Sequence, residues 1–241
     1  MQTQIQTVLT GSTGDDTASA IISATTATTT LTAGDSFNGG EGTDTLSILI
    51  DPNMTANTMM PNLTGVENVV VRNLSVTDDG ADEPANVVDV LSMIQASGVQ
   101  NVHLDGSVSL GDLNVTTAPL AATYAVLNTP AEAATPAALK VTFNTVDVAG
   151  KDDTANFKVG GAGSKIGTAD AKFAVLDVGN TSGVEAVTVA TSGVNYAQIQ
   201  GAGTDTKTVS ITGDGTNTIV VADTAATLTI DASASTGTNV F

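Results

Sequence analysis

The stretch Asp35-Ser36-Phe37-Asn38-Gly39-Gly40-Glu41-Gly42-Thr43-Asp44 sets two aspartates nine residues apart around a Gly-Gly-x-Gly turn. That spacing suits a hard dication. Calcium takes six to eight oxygens at about 2.3–2.6 Å, and a glycine-rich turn can aim backbone carbonyls inward while each aspartate adds a carboxylate. Glycine supplies the positive φ angles that so tight a turn requires. Phe37 and Leu46, each two residues after an aspartate, then point into the interior. The residues therefore predict a Ca2+-binding turn of a parallel β-roll, with Asp35 and Asp44 as carboxylate ligands.

Other chemistry finds little support. The single histidine, His103, has Asp105, Ser107 and Ser109 nearby, but residues two apart on a strand share a face without the bent geometry a nucleophile needs. Zinc sites need cysteine or several histidines, and the chain has no cysteine. Gly160-Gly161-Ala162-Gly163-Ser164-Lys165 lacks the spacing of a phosphate loop and reads as an inter-strand turn. Paired carboxylates could serve glycoside hydrolysis, but aromatic platforms for sugars are scarce, with no Trp and two Tyr. The expectation is a protein that is not an enzyme.

Charge points the same way as the turn. With 25 acidic against 7 basic residues the net charge is −18, and a compact fold so charged repels itself unless cations neutralise it. Nucleic acid is excluded as a partner, since the clustered Lys and Arg that contact phosphates are missing. Without cysteine, disulfides are not the stabilising device, and metal ions can take that place. No stretch of about 18 apolar residues could span a membrane, and the N-terminus lacks the pattern of a cleavable secretory signal.

The elements that must position the turn read as all-β. Val, Ala, Ile and Leu dominate the apolar set, and these small, stiff side chains suit the narrow interior of a β-solenoid. Three copies of one pattern recur: Gly65-Val66-Glu67-Asn68-Val69-Val70-Val71, Gly98-Val99-Gln100-Asn101-Val102-His103-Leu104 and Gly183-Val184-Glu185-Ala186-Val187-Thr188-Val189. Each reads as a glycine turn leading into a strand, with the second, fifth and seventh positions facing inward. From Val187 onward, apolar-bearing strands recur about every ten residues, which suits stacked coils or a sandwich meander, the solenoid being favoured. One short helix is predicted over 87–96, where apolar residues recur at helical spacing before Ser97-Gly98. The acidic loop Asp78 to Pro84 before it would either hold a cation or supply negative charge to the helix N-terminus. Proline-rich composition through residue 136 places a candidate boundary there, dividing 1–136 from 137–241, although one continuous domain fits equally.

Taken in order, Leu9-Thr10-Gly11, Asp15-Asp16-Thr17, the Asp35 to Leu46 turn and Leu63-Thr64-Gly65-Val66-Glu67-Asn68-Val69 resemble the calcium-dependent surface-layer proteins of Gram-negative bacteria and their repeats-in-toxin relatives. Lys151 to Val159, Ser182 to Glu185 and Thr229 to Ala234 are similar to the strand repeats of those proteins. The resemblance implies a secreted structural protein whose β-roll binds Ca2+ and whose units assemble on a cell surface as a homo-oligomer or lattice, with a cell-surface polysaccharide as a further partner. By matching to the family, Asp35, Asp44 and the carbonyls of Gly39, Glu41 and Gly42 are calcium ligands. Asp15 and Asp16 after Gly11-Ser12-Thr13-Gly14 are a partial second turn, departing from the pattern in lacking Gly-Gly and in carrying Ala18-Ser19 at the inward position. The family carries tandem turns, whereas this chain has one full copy and ends in mid-strand, as would a fragment or a small relative. A virion decoration or tail-fibre protein, and the calcium-binding module of a secreted adhesin, are the alternative readings.

Overall fold

The computed structural model describes residues 7–23, 28–32, 34–52, 58–75, 88–108, 112–129, 137–165, 171–179, 183–201, 205–222 and 228–241. Among them there is no helix, and the named strands form three parallel sheets. The first sheet has four strands: β1 (Val8–Thr10), β3 (Ser36–Asn38), β6 (Asn62–Thr64) and β9 (Ala96–Ser97). The second has nine: β2 (Thr17–Ile22), β4 (Thr45–Ile50), β7 (Asn68–Asn73), β10 (Asn101–Asp105), β12 (Thr123–Leu127), β14 (Thr154–Gly160), β16 (Ala186–Ser192), β18 (Thr208–Gly213) and β20 (Thr229–Asp231). The third has eight: β5 (Thr58–Met59), β8 (Val88–Ser92), β11 (Asp112–Ala118), β13 (Ala138–Phe143), β15 (Ala174–Asp177), β17 (Val194–Gln200), β19 (Thr216–Ala222) and β21 (Thr238–Val240).

Chain-consecutive strands lie in different sheets, and each strand pairs with its counterpart one circuit later. This order excludes a sandwich meander, in which consecutive strands pair antiparallel, and is consistent with a solenoid-like winding. Pairing crosses residue 136 in both large sheets: β12 pairs with β14, and β11 with β13.

The core is the inward row of each strand. Leu46, Ile48 and Ile50 of β4 stack on Val69 and Val71 of β7, which stack on Val102 and Leu104 of β10, all of them buried. In the recurring Gly-Val pattern, the second, fifth and seventh positions are buried in all three copies. Copies one and two are direct neighbours, so their separation of 33 residues is one circuit. Gly65, Gly98 and Gly183 all have positive φ, which explains the glycine that opens each copy. Where the interior widens, Tyr124 fills it, edge-on to Phe143 at 5.7 Å and tilted against Phe157 at 6.1 Å.

The helix expected over 87–96 is replaced by β8, with β9 following, and Val87 lies outside the described residues. The helical spacing rests on Val87, Val90, Leu91 and Ile94, of which Ile94 is exposed. In the structure Asp89, Leu91 and Met93 all point inward, a period of two. Asp89 is tolerated there because Asn73 Nδ2 donates to its Oδ2 at 2.8 Å and Ser75 Oγ lies at 3.5 Å. Pairing with β5 and β11 then outweighs the weak helical preference of a Val-rich segment.

The circuits from β16 onward run at 21 or 22 residues and carry an internal amide ladder. Ala162 N donates to Asn195 Oδ1, Asn195 Nδ2 to Asn217 Oδ1 at 2.9 Å, and Asn217 Nδ2 to Asn239 Oδ1 at 2.8 Å. Asn195 and Asn217 are buried, and the ladder satisfies polar groups that would otherwise be costly in the core.

Candidate metal centre

Four corners between the first and second sheets stack at the N-terminal end, and the first three carry the acidic residues. The first, residues 11–16, joins β1 to β2; the second, residues 39–44, joins β3 to β4; the third, Gly65-Val66-Glu67, joins β6 to β7. The first two have the same length, and registers on either side put Gly11 on Gly39 and Asp16 on Asp44. The turn expected from the sequence and its partial copy are thus one site's two layers.

The nesting leaves no room for side chains. A Cβ on Gly11 would collide with the Gly39 carbonyl oxygen, one on Gly39 with the Gly65 carbonyl oxygen and Asp44 Oδ2, and one on Gly40 with the Ser12 carbonyl oxygen. Gly40 and Gly42 also have positive φ, at 102° and 116°. The Gly-Gly-x-Gly sequence is therefore required for the corner to pack at all, with or without a ligand.

Register also places Asp16, Asp44 and Glu67 on successive strands, immediately before Thr17, Thr45 and Asn68. Strand neighbours are about 4.8 Å apart, so three carboxylates stand in a column along the stack. Two of them reach back one layer: Asp44 Oδ1 accepts from Asp16 N at 2.7 Å, and Glu67 Oε2 accepts from Asp44 N at 2.7 Å. Asp16 Oδ2 accepts from the Ser12 hydroxyl at 2.9 Å and from Ser12 N. Asp15 Oδ1 accepts from Thr43 N at 2.8 Å. Asp44 itself is fully buried, and its Oδ2 has no hydrogen-bond partner.

A second column, Asp153, Glu185 and Lys207, repeats the device further along. Asp153 N donates to Glu185 Oε2 at 2.9 Å, and Gly150 N donates to Asp153 Oδ2 at 2.9 Å. Register carries this column to a lysine, since Ala186 pairs with Thr208. The N-terminal column runs instead to neutral Gln100, because Asn68 pairs with Asn101.

Asp35 is placed elsewhere. It precedes β3 while Asp44 follows the corner after β3, and its carboxylate is occupied locally. Thr7 N donates to Oδ1 at 2.7 Å, and Thr32 N and Oγ1 donate to Oδ2 at 2.6 and 2.9 Å. Burial pushes its pKa up, but the hydrogen bonds from Thr7 and Thr32 prevail and hold it below the ordinary value. Glu41 is exposed at the corner's tip.

Among the described residues no three acidic or imidazole side chains converge on one point. A cation at this corner would therefore draw on the Asp44 Oδ2 orphan and mainly on backbone carbonyls of the stacked turns. The orphaned buried oxygen and the backbone carbonyl oxygens of Ser12, Gly39 and Gly65 packed against these glycines fit a hard, oxygen-liganded ion.

Of the remaining sequence candidates, His103 lies half-buried on the outer row of β10. Burial and the Lys158 charge lower its pKa, and Asp105 opposes them. Ser107 is buried and accepts from Asn73 N at 2.9 Å. Gly160 ends β14 and Gly161 to Lys165 follow it, with Ser164 bridging Lys172 antiparallel. Ser109, the acidic loop at 78–84 and the proposed boundary at 136 lie outside the described residues.

Sequence reasoning missed Glu67 as a member of the site and missed the buried pair Asp89 and Asp112. For Glu67 a signal existed: Gly-Val-Glu places a carboxylate immediately before the strand, as Asp16 and Asp44 do. For the buried aspartates none did. Compared with protein-family models, curated proteins and solved structures, the chain matches none.

Proposed function

We propose that this chain is a calcium-dependent structural protein that assembles on a bacterial surface, its three parallel sheets forming the coils of a β-solenoid. The observation that carries the reading is Asp44 Oδ2, a fully buried carboxylate oxygen with no donor, inside stacked glycine turns that no side chain could enter. An ion there would neutralise the column of Asp16, Asp44 and Glu67, which has no basic residue in register, whereas the second column has Lys207. It would also relieve part of the −18 charge that opposes close packing of copies. The residues named hold the ion by charge and by carbonyl dipoles; Gly11, Gly39 and Gly40 let the layers nest closely. Calcium binding in this reading is linked to folding, because the layered corner exists only in the folded chain.

The test is thermal unfolding after exhaustive chelation and again in excess calcium. At a hundred times the dissociation constant, one site adds about 2.7 kcal/mol, which for a chain of this size raises Tm by roughly 5–10 °C. Asp44→Asn should abolish most of that rise. A chelated protein whose melting curve and state of assembly are unmoved by calcium would sink the proposal.

A further inference from the structure

The chain contains one Asn-Gly pair, Asn38-Gly39, and it stands at the layered corner. Asparagine followed by glycine is the sequence most open to deamidation, because glycine places no side chain in the path of its own amide nitrogen. Asn38 is exposed, so water reaches it. The peptide group between the two residues, however, is held on both sides. Its carbonyl accepts from Gly11 N at 2.7 Å, one layer before, and its N–H donates to Thr64 O at 2.9 Å, one layer after.

We propose that Asn38 is a modification site of this protein, a deamidation point that the stacked corner holds shut and that opens when the corner opens. In the reaction the Gly39 amide nitrogen, having lost its proton, attacks Asn38 Cγ. A new N–Cγ bond forms, the Cγ–Nδ2 bond breaks, and ammonia leaves carrying the proton. Water then opens the cyclic imide at either carbonyl, giving aspartate or isoaspartate, with no change of oxidation state. Attack requires the peptide group to rotate out of both hydrogen bonds, so the folded corner must first let go.

The product does not fit back. Isoaspartate lengthens the backbone by one carbon where a Cβ on Gly39 would already strike the Gly65 carbonyl and Asp44 Oδ2. Either product adds a negative charge beside Gly65, where the column of Asp16, Asp44 and Glu67 is already crowded; a Cβ built on Gly65 would lie 3.9 Å from Asn38 Oδ1. Opening of the corner is thereby recorded covalently and does not reverse. That calcium governs the opening rests on the function proposed above; that the two hydrogen bonds govern it does not.

The experiment incubates the full chain in mildly alkaline buffer with calcium, with EGTA, and in denaturing urea, and follows each asparagine by peptide mass mapping. In urea Asn38 should react first among the asparagines. In calcium it should be slower by at least roughly fivefold, the equilibrium worth of one net hydrogen bond, and in EGTA it should approach the urea rate. Another asparagine reacting first in urea, or equal rates at Asn38 in urea and in calcium, overturns the proposal. Equal rates in EGTA and calcium, where calcium still raises Tm, overturn the calcium gate and leave the calcium reading standing. Where calcium does not move Tm, the calcium reading fails and the folded-against-urea comparison alone judges the clamp. Asn38→Gln keeps an amide and removes the reaction, so the aged variant should keep the calcium response that aged wild type loses.

Discussion

Replacing Asp112 by asparagine should stabilise this protein at neutral pH. Asp112 is buried on β11, where its Oδ1 accepts from Ala138 N at 2.6 Å. Burial raises its pKa from 3.8 to about 6, the Ala138 hydrogen bond opposing. A raised carboxyl pKa means that the folded state disfavours the ionised form. The penalty is absent below the unfolded value, grows as pH rises from 3.8 and is complete above about 6. At about 1.4 kcal/mol per pKa unit the full penalty is about 3 kcal/mol. The amide removes it but buries an NH2 group that the carboxyl does not carry, a cost of about 1 kcal/mol at every pH. The net gain of about 2 kcal/mol corresponds to a rise in Tm of roughly 4–8 °C at pH above 7, turning into a loss of about 1 kcal/mol below pH 4, where the penalty is absent. Differential scanning calorimetry of both proteins across that range reads the difference directly, and other carboxylates cancel in it. An Asp112→Asn protein that melts lower than wild type by the same amount at every pH would refute the reasoning, because its effect would then be steric.

Asp35→Asn should destabilise at neutral pH, since one amide oxygen cannot serve the donors from both Thr7 and Thr32 that the carboxylate now accepts. With its pKa held low, Asp35 contributes stability that is present above pH 3.8 and lost as pH falls through its folded value; a urea midpoint lowered at pH 7, by an unpaired donor worth about 1–3 kcal/mol, and converging with wild type in strong acid is the expected outcome. Glu67→Ala and Glu185→Ala should each lower the urea midpoint by a similar amount without altering the slope, because each strands a backbone N–H, of Asp44 and Asp153 respectively. Only the first should also weaken the calcium response, and an equal loss in both would show that the two columns are not distinguished by charge.

The strands were legible one at a time. Alternating Val, Ile and Leu marked their inward rows, and Gly65, Gly98 and Gly183 marked the turns that open them. Local reading failed where an inward position was polar: Asp89 interrupts the inward apolar row of its strand, and its partners Asn73 and Ser75 lie on a different segment. At the candidate site the turn was legible and its geometry was not. Asp35 and Asp44 share a sequence motif, yet three residues of strand and five of the corner separate them. Asp16 and Glu67, remote in sequence, are the residues that stand beside Asp44.

The sequence alone determined that the chain is rich in β-strand, that it carries a net charge of −18, and that Gly39-Gly40-Glu41-Gly42 marks a turn that needs glycine. Tertiary structure decided which carboxylates meet. Hydrogen-bonded layers join residues 28, 23 and 33 positions apart in successive circuits, and that offset is the summed length of the two or three strands of a circuit and their connecting segments. Side-chain chemistry fixes the face a residue takes on its strand; only the length of the whole circuit fixes its neighbour across the ladder.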